Sequence, residues 1–350
     1  MIGDRLKRAR AAAGLSMQAL GDAVDVTAPM IKKYEDNISM PSSGVLLRLA
    51  SALEVRSEYF FRPDRVELTG VEYRKRANTK VKVLKRIEAD VLNQAERWYE
   101  LRDLWPNFPL AGFSLPIGLP PVQSLADVDN VSLALREIWQ LGRNPLPELI
   151  DLLESKGILV IITESEDADK FDGLQAKVQG QPIVVVSSAW PGCRQRFTLA
   201  HELGHLVLHD RLPAELNEEK ACNRFASSFL LPADGLCEHI GQQRNNIDWQ
   251  EFYLLKHEYG LSMAACLYRC KDLGVINDAL VDRMWRYYSS RGWRKGEPGK
   301  AYPQEATQLF KQLVYRAMAE GIISESKAAE LLQTPLIALR RSRRLEGVAA

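Results

Sequence analysis

The sequence predicts a mainly α-helical protein with a small α+β part. A bundle of short helices comes first, then a larger helical unit built around a few strands. Three observations carry this. The first 60 residues break into short apolar-periodic segments separated by helix-cap residues. Two apolar, β-branched runs follow, "ILVIIT" at 158–163 and "IVVV" at 183–186. After them, helical periodicity dominates to about residue 335.

The elements can be justified in order. Leu6 and the alanines near it mark a first helix, ended by Gly14. Ser16 stands where an N-cap belongs for "MQALGDAV", and Thr27 does so for "APMIKKYED". Pro29 falls in that helix's first turn, where its missing N–H costs nothing, and Asn37 can close it in left-handed backbone. "SSGVLLRLASALEV" adds a helix with Val45, Leu46, Leu49 and Leu53 at helical spacing.

Two short helices joined by a tight turn, packed among others, outline a helix-turn-helix. Residues 1–61 resemble the Cro/repressor-type (XRE) helix-turn-helix family, through Gln18, "VTAPMIKKYED" and "MPSSGVLLRLASALEVRSEYFF". Two positions depart from that pattern: Asp25 replaces the usual turn glycine, and Asn37 the glycine that usually ends the third helix. Both residue types tolerate left-handed backbone. The resemblance implies double-stranded operator DNA as partner, with the helix Ala28–Asp36 in the major groove. Thr27, Lys32 and Lys33 would then touch bases or phosphates, with Gln18 reaching from the second helix. It also implies a homodimer on paired half-sites. The module is only mildly basic, with nine lysines and arginines against seven acids over residues 1–62.

Charge is concentrated further on. The chain's net charge is +1, yet residues 73–87 carry Arg74, Lys75, Arg76, Lys80, Lys82, Lys85 and Arg86 with no acid. Such a run can add phosphate contacts beside a DNA-binding module or simply form a solvated face. It leads into "IEADVLNQAERWYELRDL", read as a long helix, and then "WPNFPLAGFSLPIGLPPVQ", the clearest linker in the chain. From about 126 come two helical segments, the strand 158–163 and a hairpin. In the hairpin Leu174, Ala176 and Val178 alternate, Gly180 and Pro182 sit in the turn, and Ile183–Val186 return.

The chemistry lies in "RFTLAHELGHLVLHD", residues 196–210. Residues four apart share a helix face, so His201 and His205 can point at one ion, and Glu202 reaches the same side. A metal held this way polarises a carbonyl and lowers the pKa of its water towards about 7; the glutamate acts as base and then acid. A third ligand is needed. On a continuing helix His209 lies about 12 Å from His201, which makes it a poor candidate and suits it to the helix C-terminus. "NEEKACNRFASSFLLP" offers Glu218 and Glu219 instead. Asn223, four residues after Glu219, shares its face and can orient a ligand.

These motifs, with "LREIWQLG", "LLESKGILV" and "FDG" upstream and "EYGLSMAACLYRCKDLGVI" downstream, closely resemble the ImmA/IrrE metallopeptidases over roughly 130–280. The resemblance implies a zincin-like fold with Glu219 as third ligand, giving the set His201, His205 and Glu219, a gluzincin-like arrangement. Asn223 stands behind these ligands and Glu202 is the catalytic residue. Cys222 stands where the family usually has alanine. Zinc is the expected ion, with manganese or iron admitted by the same donors. Tyr253, His257 and Tyr259 remain equal candidates for stabilising an oxyanion.

The expected organisation is therefore a helix-turn-helix domain at 1–62 and a basic helix with Pro/Gly-rich linker at 63–125. A metallopeptidase domain at 126–290 and a helical extension with a frayed basic tail at 291–350 complete it. The expected function is a DNA-bound regulator whose zinc endopeptidase domain cleaves a protein, a partner repressor or itself, to relieve repression. The alternative is a regulator or antitoxin whose peptidase-like domain senses a ligand or grips a toxin without cutting. Five cysteines without a CxxC pair, no signal peptide and no long apolar run place it in the cytoplasm, away from membranes.

Overall fold

A computed structural model describes residues 2–62, 66–75, 81–164 and 171–345. Its N-terminal unit comprises α1 (Ile2–Ala12), α2 (Met17–Val24), α3 (Ala28–Glu35) and α4 (Ser43–Ala52), closed by a 3-10 turn at Ser57–Phe61. Leu6, Leu20, Val24, Ile31, Leu49 and Phe60 form its core. Ser16 caps α2 by accepting the Ala19 N–H, while Thr27 begins α3 without a side-chain cap. Asp25 (φ 56°) and Asn37 (φ 57°) both adopt left-handed backbone, so the two departures from glycine preserve the turns. Arg10 of α1 grips Glu35 of α3 through two hydrogen bonds, 2.5 and 2.8 Å, that tie the ends of the bundle together.

The basic run is not one helix. Arg74 and Lys75 end a strand, β1 (Leu68–Lys75), whereas Lys85 and Arg86 belong to α5 (Val81–Leu104). Arg76 and Lys80 lie outside the described residues. Along α5, Val83, Ile87, Val91, Ala95 and Tyr99 recur every fourth residue and bury one stripe against the sheet. Another face carries Glu96, which binds Arg5 and Arg8 of α1. Leu101, and Trp105 just beyond the helix, pack with the C-terminal helices. One helix thus touches every other unit.

The segment 105–123 forms no helix or strand but is pinned in place. Leu119 and Val122 are buried, and the backbone at 111–113 crosses so close to Gly157 that a Cβ there would meet the Ala111 oxygen at 2.5 Å. Next come α6 (Asp127–Ile138), α7 (Leu149–Ser155), β2 (Leu159–Thr163), β3 (Phe171–Val178) and β4 (Gln181–Ser187). The strands order as β1-β3-β4-β2, with β2 parallel to β4 and the other pairs antiparallel. The hairpin turn is Gln179-Gly180, both at positive φ, which suits the twist of the flanking strands. Pro182, expected in that turn, is already in β4, opposite Lys177.

The rest is helical: α8 (Gly192–Leu208), α9 (Glu218–Leu230), α10 (Ala233–Ile240), α11 (Trp249–Tyr259), α12 (Met263–Asp272) and α13 (Asp278–Ser290). Then follow α14 (Leu309–Ala319), α15 (Glu325–Leu331) and α16 (Leu336–Arg343). The mainly helical fold with one small sheet matches the sequence reading. The tail differs from it: Leu339 of α16 is buried, and Arg340 and Arg343 pair with Glu325 of α15, so residues 336–343 are packed rather than frayed. Residues 346–350 lie outside the described residues.

Candidate metal centre

α8 is the central helix of the second unit. Its apolar residues Leu199, Ala200, Leu203, Val207 and Leu208 are wholly buried. Arg196 is buried with them, donating to the Leu146 and Pro147 carbonyls and pairing with Glu305. The polar residues of the same helix carry the site.

Two glycines let the neighbours come close. A Cβ on Gly204 would stand 3.2 Å from the Cys222 Cα and from the Phe225 ring, so its absence lets α8 and α9 pack tightly. A Cβ on Gly173 would meet Thr198 Cγ2 at 2.8 Å, so β3 also lies against α8; that same Cβ would be 3.9 Å from Glu202 Oε1. Glu202 is therefore buried, 4% exposed, at the junction of α8 with the sheet.

The close approach of α9 brings its first turn over the histidines. Asn217 caps α9 by accepting the Lys220 N–H, which starts the helix so that Glu218 and Glu219 open it. His201 Nε2 and His205 Nε2 lie 3.1 Å apart. Glu219 places one carboxylate oxygen 3.5 Å from His201 Nε2 and the other 3.5 Å from His205 Nε2. A tetrahedral zinc with bonds of about 2.0–2.1 Å holds its ligand atoms roughly 3.3 Å apart, so the spacing of these donors fits such an ion.

The far side of each ring is also engaged. His201 Nδ1 lies 3.0 Å from Asn223 Oδ1, and His205 Nδ1 lies 3.0 Å from Glu218 Oε1. With Nδ1 donating to these oxygens, each Nε2 keeps its lone pair for the centre. Asn223, read from the sequence as an orienting residue, lies against the His201 ring. The position of Glu218 behind His205 was not read from the sequence; an acid next to a candidate ligand looks like a rival ligand, and only the rotation of α9 separates the two. His205 Nδ1, Glu218 and Cys222 form a second, overlapping group of potential donors. We favour the His201–His205–Glu219 set because it uses both histidines through the same nitrogen.

His209 takes no part. It is the C-cap of α8, 71% exposed, with its ring towards Asp210 at 3.6 Å. Of the three candidate oxyanion donors, the Tyr253 hydroxyl accepts the Lys300 N–H and keeps its own proton to donate, the His257 ring packs on Tyr253 with its buried Nε2 unpartnered among the described residues, and Tyr259 is buried against Gly235 and His239. The predicted DNA-facing residues Gln18, Thr27, Lys32 and Lys33 are all exposed, with Gln18 donating to Asp22 at 2.7 Å. All five cysteines are free thiols, and no helix among the described residues is long and apolar enough to cross a membrane.

Comparisons with known proteins match two parts of the chain. A peptidase family M78 model, described as the IrrE N-terminal-like domain, matches residues 153–271, and a helix-turn-helix model matches residues 6–60. Among curated proteins, an uncharacterised HTH-type transcriptional regulator of Rickettsia prowazekii is 42% identical over 60 residues, covering 17% of this chain and 46% of the relative. One from Rickettsia conorii is 42% identical over 60 residues, covering 17% and 48%. One from Sinorhizobium fredii is 35% identical over 71 residues, covering 20% and 50%. The chain spans about half the length of the curated relatives it matches. Residues 6–60 thus match a helix-turn-helix model, and residues 153–271 match the IrrE N-terminal-like domain model of peptidase family M78.

Proposed function

We propose that this chain is a DNA-binding transcriptional regulator and a zinc endopeptidase that cleaves one specific protein. The observation that carries the second half is the convergence of His201 Nε2, His205 Nε2 and the Glu219 carboxylate beside a buried Glu202 on the same helix. Bound zinc would supply Lewis-acid polarisation of a scissile carbonyl and an acidified water. Glu202 takes the proton from the attacking water and delivers it to the leaving amine. Asn223 and Glu218 hold the two imidazoles in the tautomer that keeps Nε2 unprotonated.

This assignment separates the two adjacent glutamates. Glu219→Gln is expected to weaken zinc binding by more than about 100-fold, whereas Glu218→Gln, which exchanges a charged orienting acceptor for a neutral one, should weaken it by roughly 10–100-fold. Competition against a chromophoric chelator measures both. Equal losses would remove the distinction.

For the DNA half, Thr27, Lys32, Lys33 and Gln18 face the operator from α3 and α2 of a homodimer. Lys33→Ala should weaken binding almost uniformly across sequences and reduce the salt slope by about one. Fluorescence anisotropy at several salt concentrations reads this; an unchanged slope would take Lys33 off the phosphates.

The test of the whole proposal compares new protein N-termini in cells carrying the wild type or Glu202→Gln. A terminus found only with the wild type names the substrate, a repressor or the chain itself. Identical N-terminal profiles across several stresses, with regulation intact, would replace the peptidase by a sensor.

A further inference from the structure

A second site lies on the opposite side of the sheet from α8. Trp98 and Tyr99 of α5, with Phe108 and Leu110 of the following segment, line a pocket of about 100 Å³ that Glu154 at the end of α7 and Gly157 just after it close. That volume suits a ligand of one small ring, and the lining is mostly apolar with a few placed polar groups, as in small-molecule sites.

The polar groups here select a ligand class. Arg102 lies on the Tyr99 ring, 4.2 Å from its centroid, and donates to Gln179 at 2.6 Å. The Gln181 amide oxygen accepts the Phe113 N–H at 2.7 Å, and the Tyr99 hydroxyl donates to the Val178 carbonyl at 2.8 Å. Glu154 differs from them. It is 2% exposed, and neither carboxyl oxygen has a hydrogen-bond partner among the described residues. The nearby Val160 N–H favours its charged form, but burial first and Asp151 second outweigh it and push its pKa up to about 8. A buried acceptor without a partner is costly, and a ligand that brings its own donors removes that cost. Aromatic walls favour a flat ring and tolerate a cation.

We propose that this pocket binds a small aromatic cation, an arylalkylamine or aryl amidine, with its ring between Trp98, Tyr99 and Phe108 and its nitrogen on Glu154. The carboxyl is neutral in the empty pocket near pH 7, so a cation entering it displaces the carboxyl proton into solvent. The groups that act on this carboxyl are Asp151 on its own helix and the Val160 N–H on β2, while Arg102 and Tyr99 of α5 line the same pocket. The site also touches the helix that carries the DNA-binding module, since Glu96, two residues before Trp98, holds Arg5 and Arg8 of α1.

The test titrates the full chain with phenethylamine and benzamidine, and with 2-phenylethanol and phenylacetate as neutral and anionic controls, by calorimetry in buffers of different ionisation enthalpy. Both cations are expected to bind at least about tenfold more tightly than either control, with close to one proton released per cation at pH 7. Glu154→Gln should abolish the preference and the proton release while keeping weak 2-phenylethanol binding. Trp98→Ala should weaken binding of all four probes. The proposal is overturned if no probe binds at millimolar concentration, if cations and controls bind alike, or if cation binding survives both substitutions. Should the Glu154 variant fail to fold, the proton count on the wild type and the Trp98 variant still decide.

Discussion

Glu202→Gln is expected to cut hydrolysis of the protein substrate by about 10²–10⁴-fold while leaving fold and zinc content unchanged. The substitution is isosteric, and Glu202 sits at the junction of α8 with β3 where an amide fits the same space. An amide cannot accept the proton of an attacking water, so the loss should fall on kcat more than on KM. The proposed zinc donors are other residues, so metal content measured by mass spectrometry should match the wild type. A variant that keeps both its metal and its rate would remove Glu202 from the reaction. One that loses its metal would mean that the glutamate supports the ion rather than the proton transfer.

The same helix shows how far sequence reading reaches. The i,i+4 histidines needed only helical geometry to be paired. The left-handed positions at Asp25 and Asn37 followed from the few side chains that tolerate positive φ. The hairpin was legible because Leu174, Ala176 and Val178 alternate, although its turn fell one step earlier, at Gln179-Gly180. β1 was hidden because its strand is bulged and basic at its end, so charge density masked a weak alternation of Leu68 with its neighbours. Three of the four fully buried arginines show what was equally invisible. Arg136, Arg196 and Arg269 read as surface charges, yet each is wholly buried and satisfies carbonyls of chain that is not helical: Gly142 and Asn144, Leu146 and Pro147, and Leu231. Such partners depend on where loops return in space, which periodicity does not encode. The C-terminal segment gave no sign either that Glu305 would brace Arg196 on α8, or that Gln304 would donate to the Ser188 and Trp190 carbonyls beside it.

Glu154→Gln should also change how stability depends on pH, and the sign can be worked out. Burial, with Asp151 beside it, raises the folded-state pKa of Glu154 from the ordinary 4.5 to about 8. Between these values the folded chain holds a proton that the unfolded chain has released. Stability from this group is therefore fully present below pH 4.5 and is lost as pH rises towards 8. Each pH unit across that window is worth about 1.4 kcal/mol, so the wild type gives up on the order of 3–5 kcal/mol that a glutamine does not. The variant should match the wild type near pH 4 and exceed it by that margin at pH 8. Urea unfolding from pH 4 to 9, followed by tryptophan fluorescence, measures the difference. Parallel pH profiles for the two proteins would mean that Glu154 is solvated or paired in the folded chain, and the pocket it lines would then lose the unmet acceptor that selects a cation.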